Sequence, residues 1–222
     1  MRGVPSISGD SAADDGGGRR LTAIAFVDIV GYSILMSEDE GGTHRRWMAL
    51  LTNVIRPGAE RHRGRVVKST GDGVLAEFPS ALDAVEWGRE IQEAVHQAET
   101  TETSPIALRI AVHVGEVMTT PDDIYGDGVN IAARLQEYGE PGGIILSEVA
   151  YNFVRQTYGS QARDLGFLNL KNFARRFRAY AITGRVLPHG RGDGYVLPAR
   201  RSLFCHSWNK EFRSNRPISG TA

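Results

Sequence analysis

Three short stretches of the sequence hold side chains whose types and spacing suit work on a charged ligand. Residues 66–78 read VVKSTGDGVLAEF, two β-forming runs around Gly71-Asp72-Gly73; this predicts a tight hairpin with Lys68 on one strand and Asp72 at the tip. An aspartate between two glycines is placed to hold a metal ion, because glycine lets the backbone approach a ligand closely. The same Asp-Gly pair serves equally as a plain hairpin turn with no chemistry attached. Residues 22–28, TAIAFVD, form an apolar run that ends abruptly in a carboxylate with Gly31 just beyond, so Asp28 is expected at the mouth of a buried strand. On a helix expected over 126–138, Asn130, Ala133, Arg134 and Glu137 fall three and four residues apart on one face, while Ile131, Leu135 and Tyr138 face elsewhere. An amide and a guanidinium one turn apart can address one ligand together; a solvated helix face carrying Arg and Glu has the same spacing.

The elements that must hold these residues follow from periodicity. Trp47, Leu50, Leu51, Val54 and Ile55 recur at helical spacing within 40–62. Ser80 is an N-cap for a second helix reaching about residue 99, with Leu82, Ala84, Val85, Gly88, Ile91, Ala94 and Val95 expected inward. Ile106, Leu108, Ile110, Val112 and Val114 alternate with Ala107, Arg109, Ala111 and His113, a strand that Gly115 is expected to end, with 116–120 returning as its partner. His113, alone on the second face, reads as structural. A short strand at 144–146, a helix capped by Ser147, and strands near 167–170 and 177–182 joined by a polar turn at 171–176 complete the pattern. The order strand, helix, hairpin, helix, strand predicts an α+β fold, a ferredoxin-like core (βαββαβ) extended by further strands and helices.

Composition narrows the function. The 222 residues suit one domain with appendages: a polar, glycine-rich leader over 1–20, the folded unit over 21–183, and an aperiodic tail over 184–222. Lys and Arg total 26 and so do Asp and Glu, a balance that offers no electrostatic footprint for nucleic acid or an anionic membrane. Cys205 is the single cysteine, which excludes an intramolecular disulfide and fits a reducing compartment. With no secretory pattern at the start and no apolar run long enough to span a bilayer, a cytoplasmic protein without membrane insertion is expected.

FVDIVGYS at 26–33, VVKSTGDGVLAEF at 66–78 and DIYGDGVNIAARL at 123–135 together resemble the catalytic domain of class III nucleotidyl cyclases, the cyclase homology domain, over about 21–182. The resemblance implies that Asp28 and Asp72, with the Ile29 carbonyl, bind two Mg²⁺ or Mn²⁺ ions per site, and that the turn over Gly31, Tyr32 and Ser33 directs main-chain N–H groups at the β- and γ-phosphates. By the same resemblance Arg134 stabilises the transition-state phosphorane, Asn130 positions the ribose, and Lys171 binds phosphate. Lys68 and Asp123 match the base-selecting positions. A donor-only lysine and an acceptor-only carboxylate fit adenine's N1 and N6 amine and mismatch guanine's. ATP is therefore the expected substrate, and the family's architecture implies a homodimer whose sites are shared, with the metal aspartates from one subunit and Lys68, Asp123, Asn130 and Arg134 from the other. Arg176 stands where many family members have proline. Alternatives are a guanylate cyclase and a nucleotide-binding module without turnover; a diguanylate cyclase would want a Gly-Gly-Asp/Glu-Glu-Phe hairpin that 70–73 do not supply.

Overall fold

The computed structural model describes residues 18–99 and 104–182. The expected leader, apart from 18–20, and the expected tail lie outside the described residues. β1 (Arg19–Ile29) is central, flanked antiparallel by β3 (Gly73–Phe78) and β4 (Leu108–Thr119). With β2 (Arg65–Thr70), β5 (Ile124–Tyr125), β6 (Ile144–Ser147), β7 (Ala162–Leu168) and β8 (Phe177–Ile182) the sheet has the order β2-β3-β1-β4-β6-β8-β7, β5 pairing β4 alone. The first four strands in this order are the ferredoxin-like core predicted from the pattern.

One face of the sheet carries the larger core. Ala23, Ala25, Val27 and Ile29 of β1, alternate residues of β3 and β4, and the inner faces of α4 (Ala81–Glu99) and α6 (Glu148–Tyr158) meet there. The segment 40–61 joins them as α2 (Glu40–Leu50), a π-helical turn (Leu51–Ile55) and α3 (Arg56–Arg61) rather than one regular helix. Pro57 accounts for the irregularity, since it has no N–H to donate to the carbonyl one turn back; the Trp87 indole separately donates to the Ile55 carbonyl at 2.9 Å. On the opposite face α5 (Asp127–Leu135) lies across the sheet, burying Val129, Ala132 and Ala133 against Ile24, Phe26, Leu75, Val117 and Ile124.

Six expectations are corrected. β4 does not end at Gly115: β1 is long enough to pair it continuously from Leu108 to Met118, and the return strand is the two-residue β5, not 116–120. β1 itself begins at Arg19, inside the stretch read as leader, because its first residues pair Met118 and Val117. β7 ends at Leu168, since the chain turns before Leu170 buries itself against Ile131 and Phe177. Leu82 points outward, 40% exposed, and Ala133 belongs to the core face of α5, not to the face it was expected to share with Asn130 and Arg134. Among the described residues no helix is long and apolar enough to cross a membrane.

Gly115 is there for α5. A Cβ at Gly115 would lie 2.9 Å from the His113 Nε2 and 3.3 Å from the Gly128 Cα, and one at Gly128 would lie 2.9 Å from Ile24 Cδ1. The two glycines let the helix sit directly on the strand. Gly115→Ala is therefore expected to cost about 1–3 kcal/mol through overpacking, read as a melting temperature several degrees lower. An unchanged melt would show that this close approach does not seat the helix.

Candidate active site

The hairpin tip is docked onto the end of β1. Asp28 stands opposite Gly73 in the β1–β3 ladder, Ile29 N–H donates to the Asp72 carbonyl at 3.1 Å, and the Trp47 indole of α2 donates to the Gly71 carbonyl at 2.9 Å. Gly71 takes a left-handed φ of 57°, as the turn demands. Asp28, 1% exposed, and Asp72, 9% exposed, are thus brought to one edge of the sheet, with the Ile29 side chain buried in the larger core so that only its main chain faces a ligand. Gly31, at φ 67°, opens α1 (Tyr32–Glu38) immediately beside them. Burial raises the Asp72 carboxyl above its usual range. Burial and the Asp72 and Glu40 carboxylates likewise raise the Tyr32 phenol, which places Tyr32 in the field of this site.

A residue that the motif reading passed over completes this edge. Arg109, on β4, lies directly opposite Asp28 and donates from Nη2 to Oδ2 at 3.4 Å, a long contact, while its buried Nε has no hydrogen-bond partner among the described residues. The signal that could have found it is an arginine inside a strand whose other second-face residues, Ala111 and His113, are buried. His113 is structural as expected: Nδ1 is 2.8 Å from the Ser147 Oγ, and burial, with Arg175 nearby, pushes its pKa down to about 4.

The second group of residues lies on β2, the approach to β5, and α5. Lys68 Nζ donates to Asp123 Oδ2 at 3.0 Å across 55 residues of sequence. Asp123 is pinned in turn, its Oδ1 accepting from Ile124 N–H at 2.9 Å and its N–H donating to the Thr120 Oγ1 at 3.1 Å. Asn130 is half-buried on α5, and Arg134 one turn on donates from Nη1 to Glu137 Oε1 at 2.9 Å. Lys171 is exposed in the turn before β8, and that turn packs on α5 through Leu170, Phe177 and Ile131. The structure brings Asp28, Ile29, Gly31, Tyr32, Ser33 and Asp72 together at one edge, pairs Lys68 with Asp123, and sets Asn130, Arg134 and the Lys171 turn on one helix and its support.

A metal fits the first group in a particular way. Among the described residues, no three His, Cys, Asp or Glu converge as a metal cluster. Two carboxylates and a main-chain carbonyl are too few ligands for a protein-only cage, but suit a hard divalent cation that shares its coordination with phosphate oxygens.

The family model for the adenylate and guanylate cyclase catalytic domain matches residues 20–184. The chain belongs to this family. It is 42% identical over 159 residues to "Putative adenylate cyclase 3" of Rhizobium meliloti, covering 71% of this chain and 27% of that one. It is 32% identical over 161 residues to an adenylate cyclase of Glutamicibacter nicotianae, covering 69% and 38%. It thus spans well under half the length of both. The solved adenylate/guanylate cyclase/hydrolase of Silicibacter pomeroyi superposes with a TM-score of 0.71 at 34% identity over 76% of this chain and 99% of that one. The adenylyl cyclase CyaB of P. aeruginosa, at 24% identity and a TM-score of 0.65 over 76% and 96%, shares the fold.

For this cyclase domain the Asp72 environment has a consequence for stability. A carboxyl whose folded pKa is raised favours the fold where it is protonated, below the unfolded value, and that contribution is lost as pH rises through the folded value. In chelator at pH 7.5, Asp72→Asn is expected to melt a few degrees above wild type, the gap closing as the pH falls through the raised folded value towards the ordinary carboxyl range. A mutant that melts lower at pH 7.5 would contradict the burial argument.

Proposed function

We propose that the chain is an adenylate cyclase that converts ATP to 3′,5′-cyclic AMP and pyrophosphate, using two Mg²⁺ or Mn²⁺ ions in each of two sites shared across a homodimer. The observation that carries the base assignment is the Lys68–Asp123 pair. Family membership calls for a nucleoside triphosphate, and this pair presents one obligate donor and one obligate acceptor at a fixed spacing, which adenine satisfies and guanine does not.

In the reaction the ribose 3′-hydroxyl attacks the α-phosphorus, the bond to the bridging oxygen breaks, and pyrophosphate leaves as the hydroxyl proton is lost. Asp28 and Asp72 with the Ile29 carbonyl would hold the cations, which when bound neutralise charge on the entering and leaving oxygens. The turn over Gly31, Tyr32 and Ser33, Lys171 and Arg109 would meet the β- and γ-phosphates, Arg109 having a buried Nε still to satisfy. Asn130 would orient the ribose, and Arg134, planar and permanently charged, would receive the charge that develops on the α-phosphate. The division of these residues between the β1 edge and the α5 face supports a composite site, in which the partner's α5 completes what the β1 edge begins. The same reading takes 21–183 as the catalytic unit and places the reaction in the cytoplasm, where ATP and Mg²⁺ are supplied.

Purified protein given Mn²⁺ and either ATP or GTP in separate reactions is expected to form cyclic AMP and pyrophosphate from ATP and little cyclic GMP. In Lys68→Glu/Asp123→Cys the GTP:ATP rate ratio should rise by tenfold or more, since each unmatched buried polar group costs about 1–3 kcal/mol. Cyclic GMP as the main wild-type product, or an unmoved ratio, would refute the base assignment; no product from either nucleotide would leave a binding module.

Subunit sharing is tested by mixing. Asp72→Ala and Arg134→Ala homodimers should each keep only a small residual rate, while exchange between them puts both lesions in one site of every mixed dimer and leaves the other whole. With about half the dimers mixed, roughly a quarter of wild-type activity is expected under two-fold symmetry. No recovery despite demonstrated exchange would put each site within one chain.

A further inference from the structure

We propose that Glu137 is a positioning residue for Arg134, fixing its guanidinium on the Asn130 face of α5 so that the transition state meets a cation already in place. The inference rests on the reading that Arg134 acts on the reacting phosphate, and it adds a residue to that machinery that touches neither substrate nor metal.

The pair is not an ordinary solvated helix contact. Arg134 is only 12% exposed at its side chain and Glu137 31%, and Nη1 donates to Oε1 at 2.9 Å. Helical side chains lean toward the N-terminus, so Glu137 leans onto Arg134 and Arg134 leans toward Asn130, one turn earlier. The backbone beneath them is held: Ile131, Ala132, Ala133 and Leu135 are buried, and Gly128 seats the start of the helix on the sheet. The following turn (Gln136–Tyr138), which carries Glu137, is anchored at its end, where the Tyr138 hydroxyl donates to the Asn169 carbonyl at 2.5 Å, and Gln136 is buried. What has still to be oriented on that backbone is the long arginine side chain. A guanidinium is a rigid plane of five N–H donors, so a bond to a mounted carboxylate acts on the orientation of the whole fork. An arginine that must be ordered at the moment of reaction loses rate that a held one keeps.

Steady-state kinetics on the full chain test this. Glu137→Ala should lower kcat by about tenfold to a hundredfold, the range that loss of placement gives, with KM for ATP within twofold. Glu137→Gln keeps an acceptor oxygen at the same reach and should retain at least a third of wild-type kcat. Both should melt near wild type, and should the alanine variant fail to fold, Glu137→Ser gives the same readout. Added to Arg134→Ala, Glu137→Ala should bring no further loss. The proposal is overturned if Glu137→Ala turns over at or above the wild-type rate, if the loss falls on KM, if Gln is as slow as Ala, or if the two losses add. The Arg134 reading is judged separately. If Arg134→Ala alone keeps wild-type kcat, that reading falls and this one with it; if Arg134→Ala is slow while Glu137→Ala is not, only the role of Glu137 is lost.

Discussion

The seating of the β2–β3 hairpin tip on the end of β1 is the constraint on which the site depends. Three bonds fix it: the ladder that sets Asp28 opposite Gly73, the Ile29 N–H to the Asp72 carbonyl, and the Trp47 indole to the Gly71 carbonyl. Two carboxylates at one edge repel each other and resist burial, so their approach has to be imposed by packing and main-chain bonding that they do not themselves supply. Trp47 is 2% exposed within the larger core, which ties the position of the tip to the most cooperative part of the fold.

Three cations of the candidate site are each set against a carboxylate. Arg109 faces Asp28, Lys68 faces Asp123, and Arg134 faces Glu137, each within the chain. Such pairing matches the overall balance of charge, and it keeps buried or half-buried cations from standing uncompensated before a ligand arrives. On the proposed reading, an incoming triphosphate with its cations would exchange partners with these pairs rather than fill an empty electropositive hole. The net gain on binding is then a difference between two sets of charge-assisted hydrogen bonds, which is a basis for selectivity more than for raw affinity.

The α5 helix joins the fold to this chemistry. Gly115 and Gly128 remove the two side chains that would hold it off the sheet, the apolar face of Val129, Ala132 and Ala133 closes the smaller core, and the Leu170–Phe177 turn braces its outer side through Ile131. Asn130 and Arg134 take their places from that seat, as does the turn bearing Lys171. A helix placed by backbone contact has little freedom to shift, which would suit the orienting roles proposed for these residues.

By itself the sequence determined the local geometry and the class of chemistry. Period-two and period-3.6 patterns, the Gly71-Asp72-Gly73 turn, the Ser80 and Ser147 caps and the three motifs led to the ferredoxin-like core and to the family, because strand alternation, turn conformation and capping are decided by near neighbours. The same near-neighbour reasoning failed at Gly115, where a glycine looked like a strand end. Its meaning lies in Gly128 and in the long β1 partner, both remote in sequence. Only the tertiary structure decided that Arg109 stands against Asp28, that Lys68 meets Asp123, that Ala133 turns inward while Arg134 is held by Glu137, and that Tyr32 feels Asp72. Each of these is a matter of register between strands or of how a helix is rolled on a sheet, and such quantities are fixed by the summed burial of many distant residues rather than by any one stretch of chain.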